Sequence, residues 1–174
     1  MPDIKKLYAA VLIFSMASLL CVSLSCGTSD PEEEEVLRTV QGFFDAMESR
    51  DVELARNVLL PEGRFSSIRE NGGQLRIGGS MNSEFIENIT GSQEKLLERM
   101  WDPQVFIHGR IAMVWAPYDF HRNGEFSHCG VDLFSLFKTD DGWKITSTAY
   151  TVETAGCAES PLGPIEKDQS ESKE

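Results

Sequence analysis

The sequence predicts an α+β domain, a single antiparallel sheet with three helices packed on one face. Three observations predict it. Between residues 31 and 91 the apolar residues recur mostly at helical spacing, with one Asn-Gly-Gly turn between them. From Lys95 onward the chain becomes long segments rich in Val, Ile, Phe, Trp and Thr, separated by Gly-containing turns. The stretch 31–154 is long enough for one hydrophobic core and too short for two.

The first helix begins at Asp30-Pro31-Glu32-Glu33-Glu34-Glu35: a capping side chain, a proline where the N–H is unpaired in any case, and acidic groups at the positive end of the helix dipole. Val36, Val40, Phe43, Phe44 and Met47 then share one face and form the expected buried stripe. A second helix is expected over Asp51 to Leu60, with Val52, Ala55 and Leu59 on one side and Pro61-Glu62-Gly63 stopping it. Arg64 to Glu70 and Gln74 to Ile77 flank Asn71-Gly72-Gly73 and read as a hairpin. The third helix runs from Ser80 to Gly91 and carries Phe85, Ile86 and Ile89 inward. Four strands follow, Leu96 to Ile107, Ile111 to His121, Glu125 to Lys138 and Trp143 to Glu153, joined at His108-Gly109, Asn123-Gly124 and Asp140-Asp141-Gly142. The segment 155–174 is placed outside the domain as an acidic tail; from Glu159 it is charged, Ser-rich and expected to be disordered.

The other end of the chain reads as an address. Lys5 and Lys6 precede an almost uninterrupted apolar run, Leu7 to Leu24, with small residues at Ser23 and Ser25, so residues 1–26 are expected to be an export signal and 27–30 a linker. The run approaches the length of a spanning helix, and retention as an anchor is the alternative. Cys26, preceded by a small residue and followed by Gly27, resembles the lipidated cysteine of a bacterial lipoprotein signal, although Ser23 stands where that signal usually has leucine. The expected location is therefore the bacterial cell envelope, with the membrane as partner through a lipid on Cys26; a secreted or periplasmic soluble protein is the alternative.

The net charge is −12, and it becomes −13 once Asp3, Lys5 and Lys6 leave with the signal. Such a balance excludes nucleic acid, whose phosphates need clustered Lys and Arg, and favours neutral or cationic partners. Of four cysteines, Cys21 lies in the signal and Cys26 is the lipid site, which leaves Cys129 and Cys157 where oxidation is permitted. If the last strand stays extended, Cys157 lies about 17 Å beyond the partner of Cys129, so a bond requires the chain to double back at Gly156.

Turn geometry also gives a register. A two-residue turn at Asn123-Gly124 pairs Asp119 with His128, Pro117 with Gly130 and Trp115 with Asp132; a turn centred on Asp140-Asp141 pairs Glu153 with His128, Ala149 with Asp132 and Val152 with Cys129. With no bulge, Trp115, Asp119, His128, Asp132 and Glu153 share one face, while Tyr118, Phe120, Cys129 and Tyr150 share the other. A histidine between Asp119 and Glu153 would have its charged form favoured and could transfer a proton; a partly exposed cross-strand pairing is the alternative. Asp132, mid-strand among Val131, Leu133 and Phe134, is either a pocket acid near Trp115, a solvent-facing group, or one bonded to Thr148 or Tyr150. Trp115, Tyr118, Phe134 and Tyr150 are either walls for an aromatic ligand or core filling. His108, His121 and His128 lack zinc-motif spacing, so no metal is expected, and no cofactor is.

The order of elements, with "VWAPYDF", "FSHCGVDLF" and "KTDDGWKI" as its most specific parts, resembles the nuclear-transport-factor-2-like superfamily, in its bacterial lumazine-binding and polyketide-cyclase-like branch, over Pro31 to Glu153. The resemblance implies a curved sheet wrapped into a cone, helices closing its wide end over a pocket, and a homodimer. It does not imply one activity, because the superfamily includes isomerases, dehydratases, cyclases and members without known chemistry. The function expected is an exported module binding a small apolar or aromatic molecule, with Trp115, Tyr118, Asp119, His128, Asp132 and Tyr150 as the binding residues. An isomerase, dehydratase or cyclase using Asp132 or His128, and a homodimeric interaction subunit, are the alternatives.

Overall fold

The computed structural model describes residues 30–165, so the export segment, Cys26 and the last part of the tail lie outside the described residues. Helix α1 is Pro31–Ser49, and the Asp30 carboxylate caps it by accepting the Glu32 N–H at 2.9 Å. Its buried side is the predicted stripe with Ala46 added. The chain turns through Arg50 in the left-handed conformation, and Asp51 caps α2, Val52–Val58. Helix α3 is Asn82–Asn88, shorter than the spacing predicts because the preceding strand runs on to Met81.

Seven strands form one sheet: β1 Leu59–Asn71, β2 Gln74–Met81, β3 Leu96–Met100, β4 Gln104–His108, β5 Ile111–Arg122, β6 Glu125–Thr139 and β7 Gly142–Val152. Their order is β2-β1-β7-β6-β5-β3, with β4 also beside β5. Every pair is antiparallel except β1 with β7, so the sheet is mixed where antiparallel pairing throughout was expected. No tight turn joins β1 to β7, and the long connection between them permits a parallel pairing. The single strand expected over Leu96 to Ile107 breaks at Trp101-Asp102-Pro103, where Asp102 has φ 45° and Pro103 has no N–H to donate. Its two halves pair with successive parts of β5.

Both predicted registers hold beside their turns and then slip by one residue. Arg122 faces Glu125 and His121 faces Phe126, but a bulge after them sets Phe120 opposite His128, Asp119 opposite Cys129 and Ala116 opposite Asp132. Thr139 to Leu136 follow the predicted β6–β7 pairing, and a second bulge at Thr146 sets Asp132 opposite Tyr150 and Cys129 opposite Glu153. A one-residue slip turns every later side chain to the other face. The expected Asp119–His128–Glu153 row is therefore Asp119–Cys129–Glu153.

The core lies between the helices and the inner face of the sheet. Phe43 meets Phe44, Phe65, Phe85 and Phe134 at ring separations of 5.4–6.2 Å. Asn82 is fully buried, and its Nδ2 donates to Leu60 O at 2.8 Å and Ile145 O at 3.1 Å, tying the irregular start of β1 to β7. Gly63 makes room for this, since a Cβ there would lie 2.3 Å from the Asn82 nitrogen. Asn82→Ala orphans two carbonyls and is expected to cost about 2–3 kcal/mol in chemical denaturation. An unchanged midpoint would remove this role.

The segment after β7 is described through residue 165, and residues 156–165 form no helix or strand. The chain doubles back at Gly156, φ 78°, and Cys157 bonds Cys129 with Cα atoms 5.9 Å apart. Farther on, Arg99 donates to Gly163 O at 3.0 Å, so the segment crosses the outer face at the ends of β3, β5 and β6.

Candidate functional site

The two bulges divide the six residues predicted to bind ligand between the two faces of the sheet. Asp132, Tyr118, His128 and Tyr150 are on the inner face, while Trp115 and Asp119 are on the outer one. The single wall holding Trp115, Asp119, His128 and Asp132 does not form.

On the inner face Tyr118 lies opposite Gly130, and the lack of a side chain there lets its hydroxyl reach across β6 to donate to Thr151 O at 2.7 Å. A Cβ on Gly130 would sit 2.3 Å from that same carbonyl, so the glycine and the tyrosine form one unit. Asp132 is 1% exposed, and its Oδ2 is buried with no conventional donor in reach. What does reach it is a second carboxyl, that of Glu98 on β3. Burial pushes Asp132 up to about 7, against a smaller downward pull from Glu98. Glu98 retains some solvent contact along its stem, yet its carboxyl is enclosed by protein; burial raises it well above the ordinary range, and Asp132 and then Asp119 raise it further. The two carboxyls titrate as a pair, and burial raises both.

His128 stacks on Phe120 at 4.8 Å and meets Tyr118 edge-on at 5.8 Å, with Nδ1 3.0 Å from Ser127 Oγ. Burial, then Arg122 and Arg69, push it down to about 4. The slip in register removes the two carboxylates expected beside it, so the ring is neutral near pH 7, the reverse of the expected charged form. Tyr150, opposite Asp132, is raised by burial and by Glu98 and Asp132, partly offset by a hydrogen bond with Ser67. Glu98 is the residue that sequence reasoning missed. Its signal was a glutamate flanked at two residues on either side by Leu96 and Met100, but only the break before β4 settles which face that trio takes.

Asp119 belongs to a separate cluster under the C-terminal segment. Burial alone would raise it, but the Arg99 guanidinium, bound at 2.9 and 2.5 Å, and His121, whose Nε2 lies 3.3 Å away, hold it below the ordinary carboxylate range. These contacts anchor the segment, and Asp119 acts on the inner cluster only through its charge on Glu98.

The rest of the outer face is apolar and open. A groove of about 240 Å³ there is lined by Ile68, Ile77, Trp115, Val131, Leu133 and Thr151, among others. Trp115 is 43% exposed and Ile77 75%. Exposed Phe106, Ile111, Met113 and Phe137 extend the same surface along β4, β5 and β6.

A curved, unclosed mixed sheet with three helices on one face is the cone-shaped α+β fold of nuclear-transport-factor-2-like proteins. Residues 31–151 match the family described as "Putative lumazine-binding", and the chain belongs to that family. Among similar solved structures, a nuclear-transport-factor-2-like superfamily protein from Salmonella enterica is 17% identical, with TM-score 0.55 over 82% of this chain and 97% of that one. One from Cytophaga hutchinsonii is 15% identical, with TM-score 0.56 over 69% and 97% of the two chains. A protein from Streptomyces avermitilis titled a "putative dehydratase" is 22% identical, with TM-score 0.52 over 70% and 96%. At these identities the likeness is one of fold. No curated protein is similar in sequence.

Proposed function

We propose that the protein is an exported small-molecule-binding module whose groove on the open sheet face takes a compact apolar or aromatic molecule. The observation that carries this reading is the groove itself, a concave surface of about 240 Å³ walled by aliphatic side chains and Trp115. That volume is just below the ~300–1,000 Å³ of typical ligand sites and suits one or two fused rings. Membership of the lumazine-binding family supports small-ligand binding in general. Titration with 2-naphthol is expected to quench tryptophan fluorescence saturably, and Trp115→Ala to weaken binding at least about tenfold. Equal affinity in the variant, or no saturable quenching, would remove the groove as the site.

A second reading, self-association through the same face, is favoured by the extent of the apolar surface. Phe106, Ile111, Met113 and Phe137 are exposed beyond the groove, and a surface of this kind commonly marks an interface. A second copy laid on it would also close the groove. Sedimentation equilibrium is expected to show a dimer that Met113→Lys dissociates; a monomer at every concentration would exclude this reading.

The proposal includes anchoring to a bacterial membrane by a lipid on Cys26. The Cys129–Cys157 bond supports an oxidising location, because disulfides persist there and are rare in reducing compartments. Palmitate labelling of the full chain is expected and should be lost in Cys26→Ser; an unlabelled wild-type protein would refute the anchor.

A further inference from the structure

We propose that one end of the outer sheet face, where the chain leaves toward Cys26, lies against the lipid bilayer, with Phe106, Ile111 and Phe137 as the contacting side chains. The inference rests on the Cys26 anchor proposed above and concerns a surface beyond the groove.

The topology brings the anchor and these three residues to the same end of the domain. Helix α1 starts after Asp30, and Glu32 in its first turn meets Lys138 Nζ at 2.5 Å. Lys138 follows Phe137 on β6, and its backbone N–H donates to Arg110 O, in the β4–β5 turn, at 2.9 Å. Ile111 comes directly after that turn and pairs with Phe137 on one side and His108 on the other. The other end of α1 marks the far end of the domain. There Arg50 donates to Glu94 O, next to Lys95, whose carbonyl accepts the Asn123 N–H from the β5–β6 turn.

Strand alternation puts all three side chains on the outer face. Ala112 and Val114 are buried in the core, so Ile111 and Met113 point away from it, and their cross-strand partners Phe137 and Phe106 point the same way. Phe106 is 57% exposed, Ile111 50% and Phe137 47%.

Chain length selects the occupant. Cys26 precedes Asp30 by four residues, which span at most about 14 Å. A lipid on Cys26 therefore keeps this end within reach of the bilayer surface, whereas a second copy has to be met by diffusion. Aromatic and aliphatic side chains on one face suit the boundary between headgroups and acyl chains. The charges on the two turns, on β6 and β7 beside them and on the start of α1 are Asp30, Glu32, Glu33, Glu34, Glu35, Asp140 and Asp141 against Arg110, Lys138 and Lys144. With acids in excess, a zwitterionic surface fits better than an anionic one.

The experiment is photolabelling of the full lipidated chain in phosphatidylcholine vesicles that contain a phosphatidylcholine with a diazirine on its acyl chain, with adducts mapped by mass spectrometry. Phe126 is the control, because it is also 50% exposed but stands beside the Asn123-Gly124 turn at the far end. Labelling at Phe106, Ile111 and Phe137 is expected to exceed that at Phe126 at least about fivefold. The double variant Phe106→Ser, Phe137→Ser should still float with the vesicles while adducts at Ile111 fall at least about threefold. Both replaced side chains are exposed, so the core is untouched. Labelling no stronger than at Phe126, or undiminished Ile111 adducts in the double variant, would overturn the inference. Cross-links joining Phe106 of two copies in place of lipid adducts would also overturn it and give this surface to self-association. A chain that does not float with the vesicles removes the anchor and the inference together, whereas a floating chain unlabelled at these residues removes the inference alone.

Discussion

Between pH 4 and 8 the ionisation of Asp132 is expected to weaken the fold by several kcal/mol, and Asp132→Asn to remove that contribution. The carboxyl of Asp132 is raised from its ordinary 3.8 to about 7 by burial. Below pH 4 it is protonated in both the folded and the unfolded chain. Between 4 and 7 the unfolded chain ionises while the folded one keeps its proton, so stability falls with rising pH and the loss is complete above 7. At about 1.4 kcal/mol per pKa unit the shift corresponds to on the order of 4 kcal/mol. An amide keeps the shape of the neutral acid without the titration, so the variant should match the wild type near pH 4 and exceed it at pH 8 in urea denaturation. Asp119 has the opposite sign, but its depressed carboxyl contributes stability that is lost only as the pH falls through the acid range, outside this window. His128, pushed down to about 4, also has the opposite sign and acts between pH 4 and 6.5 in both proteins, so the difference between variant and wild type isolates Asp132. An Asp132→Asn variant whose stability tracks that of the wild type from pH 4 to 8 would show that Asp132 does not hold its proton in the fold.

Removing the Cys129–Cys157 bond is expected to have the next largest effect. The bond closes a loop with a sequence separation of 28, which chain entropy values at about 3.5 kcal/mol. For a domain of this size that corresponds to roughly 10–15 °C in Tm. Cys157→Ser is the suitable variant because Cys157 is the more exposed partner and its loss places no new polar group in the core. The bond also holds the segment that covers Asp119 and His121, so amide exchange there should accelerate more than in β6. An unchanged Tm and unchanged exchange would mean that Arg99, through Asp119 and Gly163 O, holds the segment alone.

The helices were legible because their signals are local. Asp30-Pro31 and the glutamates mark where α1 begins, and the stripe from Val36 to Met47 marks the side it buries. The turns at Asn123-Gly124 and Asp140-Asp141 were legible for the same reason, and the pairing beside each follows from them. The pairing farther away was not. Nothing in Phe126-Ser127-His128 or Ile145-Thr146-Ser147 announces an extra residue, because a bulge is decided by twist and by what the strand must fit across several neighbours. Its effect on the site was large. Asp132 moved from beside Trp115 to beside Tyr150, His128 lost its carboxylate neighbours, and Glu98 became the partner that matters.

By itself the sequence determined the α+β class, the three helices, the apolar stripe of α1 and the two hairpin turns, since each depends on residues a few positions apart. It also determined the acidic balance and the two cysteines left to pair. Only the tertiary structure decided the parallel β1–β7 pairing, the face on which each polar residue lies, the closure at Gly156 and the meeting of Asp132 with Glu98. These depend on contacts between distant segments, where one residue of slip reverses inside and outside while leaving the local pattern unchanged.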